Sequence, residues 1–207
     1  MVFSGIVEGT ATVTAVVRKK GLYKLEIEVQ DGFSSDLQIG ASVCVDGVCL
    51  TVSSVNGNRL KFDVMMETLN VSTLEMIKED DRVNIERSMR FGDEIGGHLV
   101  SGHVSDVVTV LQVDKPENNH VMTFRTTTEV MRYIFPKGYI ALNGVSLTIG
   151  EVDRSRNEFS AYLIPETLRL TNLGQKQAGD PVNLEIETQT RNTVDTISGV
   201  AKETTSG

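Results

Sequence analysis

Gly47-Val48-Cys49-Leu50-Thr51 returns, little changed, as Gly144-Val145-Ser146-Leu147-Thr148. The same separation relates Ser4-Gly5 to Ser101-Gly102, so the chain reads as one module written twice. The positions where the copies differ in reactivity, Cys49 against Ser146 and Ile6 against His103, are where function is to be sought.

Around the first copy the pattern is that of β-structure. Residues 9–17 and 22–29 alternate apolar with small or polar side chains, the period of a half-buried strand, and Gly21 after Lys19-Lys20 marks the turn between them. Asp31-Gly32 ends the second strand, and residues 33–37 fit one helical turn. Residues 39–45 and 48–55 are predicted strands joined at Asp46-Gly47, a favoured hairpin dipeptide. After the turn Asn56-Gly57-Asn58, residues 60–64 alternate again; a short helix is predicted over 67–77, and residues 81–86 close the module as a strand.

The second module repeats this plan over 107–113, 121–125, 140–142, 145–152 and 158–164. Glu67-Thr68-Leu69 returns as Glu166-Thr167-Leu168, and Val83-Asn84-Ile85-Glu86 as Val182-Asn183-Leu184-Glu185. The longer turn over 153–157 absorbs the small change in spacing, as loops readily do. Many short strands punctuated by Gly, Asn and Asp predict an all-β fold of antiparallel barrels rather than an alternating α/β sheet. The segment from Gln189 to about Lys202 has no counterpart; Val194, Ile197 and Ala201 at helical spacing predict an amphipathic helix. A lone helix of that length is marginal in water, so it is expected to pack against another subunit.

At 207 residues and 40% hydrophobic content the chain can bury two cores of about 100 residues each. A net charge of -8 and a pI near 4.9 leave no basic footprint, so neither nucleic acid nor an anionic membrane surface is expected as a partner. The start of the chain has no secretory pattern and no apolar run approaches the roughly 20 residues that span a bilayer, so a cytoplasmic location is expected. Two cysteines, Cys44 and Cys49, are too few for a disulfide framework or a thiolate metal site, and both are expected to be reduced. There is no P-loop and no GxGxxG after a strand.

Cys49 lies two residues past the Asp46-Gly47 turn, where a side chain is partly exposed at a barrel mouth. It is either a small apolar filler or a thiol that adds to an electrophilic carbon, which requires exposure and a lowered pKa. Cys44 reads as core. His98 and His103 have no third His, Cys or carboxylate at ligand spacing, so no metal site is expected. Imidazole titrates near neutrality, which suits His103, beside Ser101, to a proton shuttle; His98 is assigned no chemistry. Ser42, Thr51, Asp63, Lys137, Ser146, Thr148 and Glu187 suit recognition of a polar heterocycle or a polyol.

Five motifs, Phe3-Ser4-Gly5-Ile6-Val7, Gly47 to Thr51, Asp93-Glu94-Ile95-Gly96-Gly97-His98-Leu99-Val100-Ser101-Gly102-His103, Asn143 to Thr148 and Ile164-Pro165-Glu166-Thr167-Leu168, together resemble the riboflavin synthase alpha chain family, in order and over essentially the whole chain. The resemblance implies two tandem six-stranded Greek-key barrels plus a C-terminal helix, with boundaries here at 1–97, 98–188 and 189–207. It implies a homotrimer in which the first barrel of one subunit faces the second barrel of its neighbour, and an association with lumazine synthase. The implied reaction is a dismutation of two 6,7-dimethyl-8-ribityllumazine molecules, bound two per site, by four-carbon transfer to riboflavin and a ribitylamino-pyrimidinedione, with no metal or other cofactor.

By the same resemblance His103 and Ser42 are expected to transfer protons and Cys49 to be a nucleophile or ring contact. Substrate contacts carry over, for the first barrel, to Phe3, Gly5, Ile6, Val7, Leu50, Thr51, Asp63, Val64, Met65, Met66, Glu67 and Thr68. For the second they are Gly102, Val104, Lys137, Asn143, Ser146, Leu147, Thr148, Ile164, Pro165, Glu166, Thr167, Leu168, Arg169 and Glu187. The sequence departs from the family pattern at Asn143, where an acid is common, at Glu187, where Asp is usual, and at Val2, which precedes the usual Phe3. Asn cannot act as a base. The rival class is a non-catalytic lumazine- or flavin-binding antenna protein; the presence of Ser42, Cys49 and His103 favours the enzyme.

Overall fold

A computed structural model describes residues 2–117 and 120–205, with side chains to residue 199. The first barrel contains β1 (Gly9–Lys19), β2 (Leu22–Glu28), β3 (Ser42–Val45), β4 (Val48–Asn56), β5 (Arg59–Met65) and β6 (Arg82–Arg87), closed in the order β1-β2-β5-β4-β3-β6. The second contains β7 (Asp106–Asp114), β8 (Val121–Arg125), β9 (Tyr139–Leu142), β10 (Val145–Asp153), β11 (Glu158–Tyr162) and β12 (Pro181–Ile186), closed in the equivalent order. Every strand pairing is antiparallel, and the two barrels are the expected tandem Greek keys. Register shifts recur at matched places, between Val13 and Ala15 in β1 and between Val110 and Gln112 in β7, where a bulge sharpens the coiling that closes a small barrel.

The alternation in the sequence becomes inside and outside. Along β5, Leu60, Phe62 and Val64 point into a core with Val13, Ile27 and Ile85, while Lys61, Asp63 and Met65 face out. In the second barrel Phe124 and Phe159 stack with ring centroids 5.3 Å apart among Val110, Met122 and Leu184.

The repeated pentapeptide begins in the second residue of a tight turn. Asp46 and Gly47 have φ of 47° and 82°, and Asn143 and Gly144 have 45° and 79°, the doubly left-handed geometry of a two-residue hairpin whose twist matches its strands. The two turns stack on each other: a Cβ on Gly47 would stand 2.7 Å from the Gly144 nitrogen, which only glycine avoids.

Around these turns lies a buried polar network. Asp46 Oδ1 accepts from the Asn84 backbone (2.7 Å) and from Asn172 Nδ2 (2.9 Å), Asn84 Nδ2 donates to the Asn143 carbonyl (2.9 Å), and Asn183 Nδ2 donates to the Asp46 carbonyl (2.7 Å). Burial lifts Asp46 to about 7 against these donors and the charge of Lys176.

Several expectations needed correction. Residues 33–37 make turns, not a helix, and drop Phe33 and Leu37 into the core. The strand expected from 39 begins only at Ser42, because Gly40 turns the chain at φ 89° and Ile39 is 70% exposed. The helix expected over 67–77 is broken into α1 (Met66–Asn70) and a 3-10 turn (Thr73–Met76) by Ser72, whose backbone is extended and whose Oγ donates to the Thr68 carbonyl. The second repeat breaks likewise at Thr171, between α3 (Pro165–Leu170) and a 3-10 turn (Asn172–Gln175), so its preceding strand ends at Tyr162. The short α2 (Thr128–Met131), capped by Thr127, has no counterpart and was not expected.

The C-terminal helix is α4 (Thr188–Thr205). Tyr133 donates to Asp195 (2.6 Å) and Arg132 to Ser198 (3.0 Å), which dock α4 on the second barrel. Val194 is half-buried and Ile197 is exposed; the Ala201 side chain lies outside the described residues. No helix among the described residues is long and apolar enough to cross a membrane.

Candidate active site

Each barrel carries a cleft of about 410 Å³ beside its central hairpin. The first is lined by Val48, Cys49, Glu67, Thr68, Val71, Ser72, Gly102, His103 and Val104. The second is lined by Lys137, Ser146, Leu147, Thr148, Ile149, Gly150, Tyr162, Ile164 and Thr167. A larger hollow of about 560 Å³ lies between the barrels beside Asp46, Asp81, Arg82 and Lys176, and none of the expected catalytic residues lines it.

The clefts are completed by exchange. The segment before each barrel runs across the other: Phe3 and Val100 pair with each other (N to O 2.7 and 2.9 Å), the Ser146 N–H donates to the Gly5 carbonyl (2.8 Å), and the Cys49 N–H donates to the Gly102 carbonyl (2.9 Å). A Cβ on Gly102, at φ 79°, would lie 2.5 Å from Cys49 Cβ, and one on Gly5, at φ 73°, would lie 2.6 Å from Ser146 Cβ. Val7 is buried in the second core and Val104 packs on the first. The expected allotment is therefore corrected: Gly5, Ile6 and Val7 stand at the second barrel, and Gly102, His103 and Val104 at the first. Cys49 and His103 line one cleft and Ser42 adjoins it, so the first barrel's cleft takes His103 from the arm of the second module.

Ser42 is buried on β3 and its hydroxyl hydrogen-bonds the Cys49 thiol. Burial raises the Cys49 pKa and the Ser42 bond only partly offsets this, so Cys49 is a thiol, not a thiolate, at neutral pH. Cys44, directly opposite Cys49 across β3 and β4, is buried, its pKa lifted well above the ordinary range by burial; both cysteines are free.

In the second cleft Ser146 Oγ lies 2.7 Å from His98 Nδ1, a contact that sequence reasoning missed. His98 is buried, stacks on Tyr139 with centroids 5.4 Å apart, and among the described residues has no hydrogen-bond partner for Nε2. Burial lowers its pKa, against the charge of Glu187, so the ring is neutral and able to take a proton from the Ser146 hydroxyl. Glu187 caps α4, accepting from the Gln189 and Thr190 N–H groups (2.8 and 2.7 Å); these bonds outweigh burial and hold its pKa down. Lys137 takes φ 68° where the first repeat has Gly40 at 89°, so a side chain stands at a place whose geometry favours glycine.

Other expected contacts fall on the rims or elsewhere. Thr51, Asp63, Met65 and Met66 are exposed, Asp63 pairing with Lys24 at 3.1 Å, and Pro165, Glu166 and Arg169 are exposed beyond the second cleft, Glu166 pairing with Arg169 at 2.5 Å. Leu168 packs on the second core. Leu50 and Val64 are buried in the first core. Phe3 and Asn143 reach neither cleft: Phe3 is buried between the barrels with Cys44, Val100 and Ala141, and Asn143 belongs to the interface network.

Two buried carboxylates, Glu86 and Glu185, were also missed. Glu86 Oε1 accepts from Ser4 N–H and Oγ (both 2.7 Å), and Glu185 Oε1 accepts from Ser101 N–H (2.7 Å) and Oγ (2.8 Å). Their signal was the return of Val-Asn-Ile/Leu-Glu at the end of each module, alongside the matched Ser-Gly pairs.

The lumazine binding domain family matches the chain twice, over residues 4–88 and 101–187. Riboflavin synthase of Escherichia coli (strain K12) is 44% identical over 96% of this chain and 92% of its own length; that of Chlamydia pneumoniae is 41% identical over 96% of each. LumP complexed with riboflavin superposes with a TM-score of 0.81 at 25% identity over 89% of this chain and 98% of LumP. The fold and paired clefts are thus those of a tandem lumazine-binding-domain protein. More narrowly, the chain belongs to the riboflavin synthase family.

Proposed function

We propose that the chain catalyses the riboflavin synthase dismutation with one lumazine in each kind of cleft, a thiol and imidazole acting on one ring and a hydroxyl, a neutral imidazole and an ammonium on the other. The observation that carries this reading is the unlike furnishing of two equal clefts on one repeated hairpin. The two products together contain the atoms of two lumazines, so the net reaction needs neither oxidant nor water. The chemistry requires loss of a proton from the 7-methyl group of one ring and a nucleophile at C7 of the other, with both rings held in register.

In the second cleft the Ser146–His98 pair accepts a proton and Lys137 stabilises negative charge spread over the ring. In the first, His103 takes the proton of a water that adds at C7 and is released again in a later step, so none is consumed, while Ser42 orients the Cys49 thiol, which touches the ring without acting as a thiolate. Thr148, Glu67, Thr68, Ile164 and Thr167 bind the rings and ribityl chains. The same proposal includes the boundaries 1–97, 98–188 and 189–207, a homotrimer that brings unlike clefts of neighbouring subunits together, association with lumazine synthase, and a cytoplasmic location. Exposed Met65, Met66, Ile164 and Ile197 support such packing. Mixing the purified chain with 6,7-dimethyl-8-ribityllumazine tests the reading: riboflavin absorbance should grow, whereas lasting lumazine fluorescence without conversion would instead favour an antenna protein.

A further inference from the structure

The two buried glutamates have no part in the chemistry just described, yet each stands at the root of a segment that enters a cleft. The chain of contacts from Glu185 is continuous. Its Oε1 accepts from the Ser101 N–H and hydroxyl, its Oε2 accepts from the Gly102 N–H (2.9 Å), and the Ser101 hydroxyl oxygen accepts in turn from the His103 N–H (3.3 Å). Gly102 is pressed on Cys49 without room for a Cβ. The carboxylate on β12, in the second barrel, is thus tied to the backbone of the residue that carries the exposed imidazole of the first cleft.

We propose that Glu185 is the positioning residue for His103, fixing it beside Cys49 from the opposite barrel, and that Glu86 holds the matching Ser4–Ile6 arm against the second barrel. The second half of the relay repeats the first: Ser4 Oγ donates to Glu86 Oε1 (2.7 Å) and accepts from the Ile6 N–H (3.2 Å). Glu86 also draws on the Gly5 backbone N–H, as Glu185 Oε2 does on that of Gly102 (2.9 Å). Each cleft is consequently set by the last strand of the other barrel, which explains how two barrels that are each complete in hydrogen bonding are bound into one catalytic unit.

The inference rests on the proposed reaction and on His103 as its proton carrier. Its test compares Glu185→Gln, Ser101→Ala and Glu86→Gln with the wild-type chain. Glutamine keeps the shape but turns an N–H toward the N–H groups the carboxylate had received. Glu185→Gln should lower kcat by about tenfold to a hundredfold with little change in KM and should flatten the imidazole limb of the pH profile, as misplacement of a catalytic group does. Ser101→Ala should do the same more weakly, and Glu86→Gln should leave that limb in place.

Amide hydrogen exchange at Gly102 and His103 should quicken in Glu185→Gln and in Ser101→Ala but not in Glu86→Gln, a readout independent of turnover. A wild-type pH profile with wild-type exchange in a folded Glu185→Gln chain would overturn the inference; if that chain does not fold, the same result in Ser101→Ala would do so. Should the wild-type chain turn over no lumazine, the proposed reaction fails, and exchange alone then decides whether Glu185 holds the arm.

Discussion

The two clefts share a backbone and differ in side chains. Both are built on a doubly left-handed turn, a strand carrying Leu and Thr, a broken helix, and a Ser-Gly arm brought over from the other barrel. At matched positions, however, the first has Cys49, Ser42 and His103 where the second has Ser146, Tyr139 and Ile6, and the second adds His98 and Lys137. In the proposed reaction the devices that hold a flat ring are duplicated, while those that move protons are divided. A reaction between two identical molecules that must play opposite parts calls for such an arrangement.

The largest effect should come from removing the imidazole of one side. His103→Ala is expected to lower kcat by about 10²- to 10⁴-fold and to abolish an imidazole limb in the pH profile. Its counterpart Ile6→Ala should change the rate far less; equal losses would mean that the clefts are chemically alike.

The next concerns the turns on which both clefts stand, Asp46 in one and Asn143 in the other. Because burial raises Asp46 to about 7, the folded state holds its proton more tightly than the unfolded chain does. Stability from this group is complete below the ordinary aspartate range and is lost as pH rises to about 7. Asp46→Asn, which makes the turns alike, should therefore gain on the order of 3–4 kcal/mol at pH 8 in denaturant unfolding and nothing near pH 3. An equal change at both values would show that folding leaves the Asp46 carboxyl unshifted.

Smaller effects sharpen the comparison further. Cys49→Ser, which gives the first cleft the hydroxyl of the second, should cost about 1 kcal/mol of stability and less than about tenfold in turnover, because the thiol is not ionised. A loss beyond a hundredfold would point to thiolate chemistry. Lys137→Gly, which restores the residue type found at Gly40, should raise stability by about 1 kcal/mol through relief of the left-handed backbone while raising KM. An unchanged KM would remove Lys137 from the site.

Much of this is legible in the sequence. The doubled pentapeptide and its flanking alternation lead directly to two barrels, because a period of two with one buried face leaves little choice of register. Cys49, His103, Lys137, Ser146 and Thr148, which line the two clefts, were pointed to by the family resemblance rather than by local pattern. What escaped was long-range. That Gly5 would lie on Ser146 and Gly102 on Cys49 depends on the chain crossing between barrels, which local pattern does not encode. His98 escaped because its partner is Ser146 on another strand, and Glu86 and Glu185 because a strand position that looks solvated by composition is covered by an arm from elsewhere. Ser72 and Thr171 broke predicted continuity by bonding back to a carbonyl four residues earlier.

The most direct test of a shared reaction at unlike clefts follows carbon. Purified chain, without added metal or cofactor, is given 6,7-dimethyl-8-ribityllumazine labelled at the two pyrazine carbons and both methyl groups, and the products are separated by mass. The account requires two lumazines consumed for each riboflavin, with both labelled sets in the riboflavin and none in the pyrimidinedione. Recovery of bound lumazine with its label unmoved would contradict it.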